Sequence, residues 1–138
     1  MKEVKYIPLD LVKADKNPNI IWKVKDVSQD KRGNVLYRVV AAEDNDAFIY
    51  LYEHQIASIP LAPEILEKNG WYKEPSENVT WYKYRTDKSY LYICKDSFNN
   101  KDWLVCVALD KHCVANINYV HQLQHLLFGL GLNLEMEV

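Results

Sequence analysis

The chain has 138 residues, 49% of them apolar and 26% charged, with a formal net charge of −2 and no low-complexity run. That length serves one domain, or two very small lobes sharing a core, and it buries roughly 65–70% of the unfolded surface without help from disulfides or a metal. The composition excludes disorder away from the ends; the charge balance disfavours sequence-blind binding to duplex nucleic acid, which needs several uncompensated phosphate contacts.

The opening MKEVKYIPLD has no apolar core behind a basic head, and no apolar run approaches the ~20 residues of a membrane span, so the expectation is a cytoplasmic protein without a membrane partner. Cys94, Cys106 and Cys113 are odd in number, form no CxxC pair and fall in or near apolar runs, which reads as buried reduced thiols. Charge is distributed unevenly: residues 39–67 hold six acids and no Lys or Arg, while the flanking basic stretches are partly offset by their own acids.

In chain order, residues 20–27 alternate apolar with polar after Trp22, the period of a half-buried strand. Residues 30–34 turn the chain, 35–41 return as a second strand, 43–46 turn again and 47–52 form a third. Gly33 and the Asx-rich second turn are residue types that tolerate left-handed conformations. With a further strand at 55–59, residues 1–59 read as a meander or a small SH3-like barrel. In PLAPEILEKNG at 60–70, Pro63 suits a first helical turn, Glu64 lies near the positive end and Asn69-Gly70 stops the helix. Four aromatic or β-branched runs follow at 71–73, 80–84, 89–94 and 102–108, separated by turns at 75–78, 86–88 and 97–101, and they predict a second antiparallel sheet.

Asn118 is placed to cap a helix over 118–130, with Val120, Leu123, Leu127 and Leu130 on one stripe and Tyr119 and Leu126 beside it. His121, Gln122, Gln124 and His125 fall on the other side, and Gly131 closes the helix. Residues 132–138 alternate strictly and predict a final strand. The fold class expected is α+β, antiparallel and rich in β-structure, with residues 60–138 forming a sheet covered by one helix.

The segments IPLAPEILEKNGW at 59–71 and INYVHQLQHLLFGLGLNLEMEV at 117–138 carry a resemblance. They are similar to a family of small uncharacterised proteins of Bacteroides-type gut bacteria, their prophages and phages, whose pattern pairs PLTEEIL and GF with a terminal YVHQLQN helix. The likeness spans about residues 20–138 and departs at Ala62-Pro63 and at His125, where the family pattern has Asn. It implies a setting in a phage or mobile element and carries no established activity with it.

Among chemistry-bearing groups, His121 and His125 sit one helical turn apart, a spacing that can chelate Zn²⁺ if a third ligand arrives; His112, Cys113, Glu135 and Glu137 are the conceivable partners. A polar helix face, with His121 and Gln122 hydrogen-bonding nearby strands or loops, is the favoured reading, so no metal is expected. His112 and Cys113 adjoin, and neighbours on a strand point to opposite faces, which separates a base from a nucleophile. GxSxG, P-loop, GxGxxG and HExxH are all absent from the sequence, and neither a catalytic residue nor a cofactor is assigned.

The density of Trp71, Tyr72, Trp81, Tyr82, Tyr84, Tyr90, Tyr92 and Trp103, with Lys73, Lys83, Arg85 and Lys88, predicts a tyrosine-lined face on the second sheet. Such a face binds protein or stacks nucleobases; alternatively the rings only stabilise cross-strand pairs beneath the helix. The expected function is a non-enzymatic binding protein that inhibits a host protein. A second reading is capture of a small anionic ligand such as a signalling nucleotide, as a host-defence antagonist, in an enclosed pocket where Arg38, Lys83 or Arg85 reaches phosphate. A third is a small cysteine- or zinc-dependent enzyme. The candidate binding residues are Tyr82, Lys83, Tyr84, Arg85, Tyr90, Tyr92, Arg38, His121 and Gln122, and homo-oligomerisation is left open.

Overall fold

Two five-stranded antiparallel sheets and one long helix form the molecule, an α+β architecture dominated by strands, as the alternation predicts. The computed structural model describes residues 4–74, 79–86, 90–95, 102–107 and 112–138. The turns expected at 75–78 and 97–101, most of that at 86–88 with Lys88, and the side chains of His112 and Cys113 lie outside the described residues.

The first sheet contains β1 (Leu11–Ala14), β2 (Asn17–Gln29), β3 (Val35–Ala41), β4 (Asp44–Tyr52) and β5 (Ile56–Ser58), with a single 3-10 turn at Glu53–Gln55 before β5. Its order is β4-β3-β2-β1-β5. Composition around the first turn explains its stability: Asp30 Oδ1 accepts from the backbone N–H groups of Arg32 and Asn34, both at 2.9 Å, and Gly33 takes the left-handed φ of 84°. The strand expected at 55–59 exists in shortened form, yet it pairs with β1 rather than continuing the meander beside β4. β1 itself escaped the sequence reading because four residues, LVKA, are too few to display a period. β4 and β5, at opposite ends of the order, share no ladder, so the architecture is a five-stranded sheet and a closed SH3-like barrel is not established.

The second sheet runs β10-β9-β8-β7-β6, from β6 (Tyr72–Glu74), β7 (Trp81–Arg85), β8 (Tyr90–Lys95), β9 (Trp103–Val107) and β10 (His112–Ile117). Four of these follow the predicted runs, and β10 is the addition. The short α1 (Pro63–Lys68) begins at Pro63 as expected. The long α2 spans Val120–Gly129, and among the described residues no helix is long and apolar enough to cross a membrane. Tyr119, not Asn118, is the N-cap of α2; Gln122 Oε1 turns back to accept from Asn118 N at 2.7 Å and Tyr119 N at 3.1 Å.

Each sheet has its own apolar cluster. Tyr6, Val12, Trp22, Val24, Tyr37, Val39 and Leu51 fill the first, and Trp71, Ile93, Trp103, Val105, Val120, Leu123 and Leu127 fill the second. β1 serves both, because period-2 alternation sends Val12 and Ala14 into the first cluster and Leu11 into the second. Cys94 and Cys106 are buried and stand outside any disulfide.

Two expectations fail on α2 and beyond it. Leu130, placed on the buried stripe, is exposed, while Gln124 and His121, placed on the polar side, are buried. For His121 and Gln124 the reason is tertiary: the segment from Tyr6 to Leu11 that leads into β1 packs over that side of α2. Residues 132–138 do not form a strand. Leu132, Leu134, Met136 and Val138 do face the second cluster in alternation, but side chains hold the segment: Asn69 Nδ2 donates to Glu137 O and Asn69 Oδ1 accepts from Glu137 N, both at 2.7 Å.

Gln124 is completely buried, accepting from Leu11 N at 3.0 Å and donating to Leu9 O at 2.9 Å and Leu134 O at 3.0 Å. Gln124→Leu keeps the volume and strands those three backbone groups, each of which costs about 1–3 kcal/mol when buried without a partner. A loss of roughly 2–4 kcal/mol, on the order of 10 °C in Tm, is expected by thermal denaturation, against about 1 kcal/mol for the capping change Gln122→Ala. Equal effects of the two would mean that Gln124 does not join the sheets.

Candidate functional site

The tyrosine residues of the second sheet do not share a face. Register pairs Lys83 with Tyr92 and Arg85 with Tyr90 across β7 and β8, which puts Tyr82 and Tyr84 on the side opposite Tyr90 and Tyr92. Tyr82 is buried edge-on against Trp103, with centroids 6.2 Å apart, and Tyr84 leans on Trp71 at 5.2 Å. On the other side Lys83 Nζ lies 5.2 Å from the Tyr90 ring centroid, and Tyr92 is buried against Trp81. Arg85 is exposed at the end of β7. Thus Tyr82 and Tyr84 belong to the core, and this correction follows from alternation across a ladder whose register the sequence does not specify.

At the junction of the two sheets, polar groups converge instead. Asp10, wholly buried, accepts from Ile7 N through Oδ2 at 2.9 Å and meets His125 Nε2 through the same oxygen at 2.6 Å. Leu9, just before it, takes a φ of 78°, the one non-glycine residue in the left-handed region among those described. Burial holds the Asp10 carboxyl above its ordinary range, although its bonds to Ile7 N–H and His125 pull it down. His121 packs against Tyr6 (4.9 Å), Tyr119 (5.8 Å) and His125 (5.5 Å) by ring centroids. Burial, and to a lesser degree the positive charges of His125 and Lys5, lowers its pKa to about 4. With His125 committed to Asp10 and Gln122 to the helix cap, the predicted polar helix face is an internal contact. Among the described residues no three His, Cys, Asp or Glu side chains gather where a metal ion could sit.

A different surface is open. On β4, Phe48 is 52% exposed, Tyr50 56% and Ile49 37%. Phe48 and Tyr50 lie on one face of the strand, their rings perpendicular and 6.0 Å apart. Arg38, directly across from Tyr50 on β3, holds its guanidinium 5.9 Å from the Phe48 centroid and forms an ion pair with Asp26, Nε to Oδ2 at 2.7 Å. Arg38 is therefore the one predicted binding residue that this surface includes. Sequence reasoning identified the strand and missed its exposed side, since AFIYLY at 47–52 is apolar on both faces and marks neither.

A cleft of about 900 Å³ between the first sheet and the carboxy-terminal segment and another of about 580 Å³ beside Asp30 are not lined by Arg38, Lys83 or Arg85. In comparisons with known proteins, no family model, curated protein or solved structure matches the chain.

The buried imidazole makes the fold sensitive to acid. The unfolded chain takes up this proton near pH 6.5 and the folded chain only near 4, so the unfolded state binds more protons across that interval and stability falls as pH drops through it. Asp10 acts in the opposite sense below its raised pKa, offsetting part of the loss at the acid end. The Tm is expected to decline from pH 6.5 towards about 4, and His121→Phe, which keeps a ring beside Tyr6 without a titrating nitrogen, should remove most of that slope. An unaltered slope in H121F would locate the acid sensitivity in other groups.

Proposed function

We propose that the chain is a non-enzymatic binding protein that holds a partner protein against the free edge and outer face of β4. The observation that carries this reading is the exposure of Phe48 and Tyr50 on a nine-residue strand that, among the described residues, has a neighbour on one side only. Soluble proteins ordinarily keep edge strands short, charged or bulged, because their unpaired N–H and C=O groups template pairing with another chain. β5 and β6 follow that rule with three residues each, and β10 has a register irregularity between Cys113 and Ala115. β4 has its acids and its register irregularity at its start, opposite Val40 and Ala41; over Phe48–Tyr52 it pairs in unbroken register and carries no charge, Pro or Gly. Strand addition at such an edge supplies main-chain hydrogen bonds, while exposed aromatics with an arginine beside them supply the side-chain anchors of binding hot spots.

The resemblance of the PLAPEIL and YVHQLQ segments to proteins of Bacteroides-type bacteria and their phages makes a bacterial host protein the proposed partner, and its inhibition the proposed effect. The alternative of a small anionic ligand has no comparable support, since Arg38 is paired with Asp26 and borders neither cleft.

The immobilised chain is expected to retain a partner from a lysate of such cells, and the double variant Phe48→Lys, Tyr50→Lys to lose it. Both side chains are exposed, so the variant should keep its stability to within about 0.5 kcal/mol. Retention of the same partner by the stable variant would sink the assignment to β4, and a native chain that retains nothing would sink the binding role.

A further inference from the structure

The cleft of about 900 Å³ lies between the first sheet and the carboxy-terminal segment, walled by β2 around Ile21, the β3–β4 turn, the end of α1 and the extended segment 133–138. Leu11 and Met136, both buried, and the half-buried Ile21 give it an apolar floor. The exposed Glu43, Asp44, Glu135 and Glu137 stand around it against Lys23 and Lys68, and Lys68 Nζ is directed to Val138 O at 3.2 Å. Two extended backbones border this space. β3 lies beside β2 only from Trp22 onward, and residues 132–138 join no ladder.

We propose that this cleft binds an extended peptide in which apolar side chains alternate with lysine or arginine. An extended chain presents alternate side chains to opposite faces, so its apolar set can cover Leu11, Ile21 and Met136 while its cations meet the carboxylates. Its backbone can bond to the stretch of β2 ahead of Ile21, where β2 has β1 alone as a neighbour among the described residues, while the carboxy-terminal segment, held in part by Asn69, Gln124 and Lys68, forms the opposite wall. The excess of carboxylates selects against acidic peptides and phosphate groups, since like charges across an interface suppress the wrong partner. The site is separate from the outer face of β4 and does not rest on the role proposed for that face.

Fluorescence anisotropy with a labelled, terminally blocked heptapeptide alternating valine and lysine, beside its valine–glutamate counterpart, tests the assignment on the full chain. The lysine peptide is expected to saturate the native protein and the glutamate peptide not to. Glu43→Lys combined with Glu135→Lys, a reversal of two exposed charges, should weaken the lysine peptide roughly tenfold. Ala42→Trp, which adds an indole at an exposed position of the cleft wall, should abolish its binding with the Tm unchanged. Failure of the lysine peptide to saturate by ~1 mM, equal binding of the two peptides, or undiminished binding by both folded variants would overturn the proposal.

Discussion

The carboxamide of Gln124 ties the segment at Leu9–Leu11, more than a hundred residues away in sequence, to α2 and to Leu134 beyond it, accepting from Leu11 N and donating to Leu9 O and Leu134 O. An amide is suited to this place because it offers an acceptor and two donors without a charge, and a buried charge would need a partner of opposite sign. Through it, the backbone that enters β1, the middle of α2 and the extended carboxy-terminal segment are fixed to one another. The neighbouring contact of His125 with Asp10 crosses the same junction, and Asp10 in turn holds the N–H of Ile7 in the turn that leads to β1. The two sheets are thereby joined through polar groups whose bonds have direction, whereas the two apolar clusters on either side fix mainly what is buried.

That junction also determines which surfaces remain available. β1 is used on both faces and on both edges, with β2 and β5 as neighbours, and the segment that leads into it packs on α2. Among the described residues the far edge of the first sheet has no neighbour, and the chain places Phe48, Ile49 and Tyr50 there, beyond the acids and the register irregularity at the start of β4. The cleft between the first sheet and the carboxy-terminal segment is the other consequence. The β3–β4 turn and residues 133–138 approach it from opposite ends of the sequence and bring their acids to one space.

The polar residues of α2 show why a site is harder to read than a fold. His121, Gln122, Gln124 and His125 form the hydrophilic side of the helix in sequence, yet one caps the helix, one joins three backbones, one contacts a buried carboxylate and one is packed among rings. Helical period assigns a residue to a side of the helix; it does not say whether water or another sheet covers that side. The tyrosines of β7 and β8 carry the same lesson, since each strand alternates as expected while the register between them divides the rings between two faces.

What the sequence determined by itself is local: strands from period-2 alternation, the first turn from Asp30 and Gly33, the start of α1 from Pro63, and the inward alternation of residues 132–138, whereas the turn expected at 43–46 falls at Ala42 and Glu43 with Asp44 already in β4. These follow from φ/ψ preferences and from side-chain direction, which each residue and its near neighbours set. Tertiary structure alone decided that β5 lies beside β1, that residues 132–138 are held by Asn69 and Gln124 in place of a ladder, that Leu130 faces out and Gln124 in, and that the aromatics left exposed belong to β4. Each of these depends on a contact across tens of residues, and such contacts are selected by the joint burial of whole faces and the pairing of buried polar groups, quantities that no single segment carries.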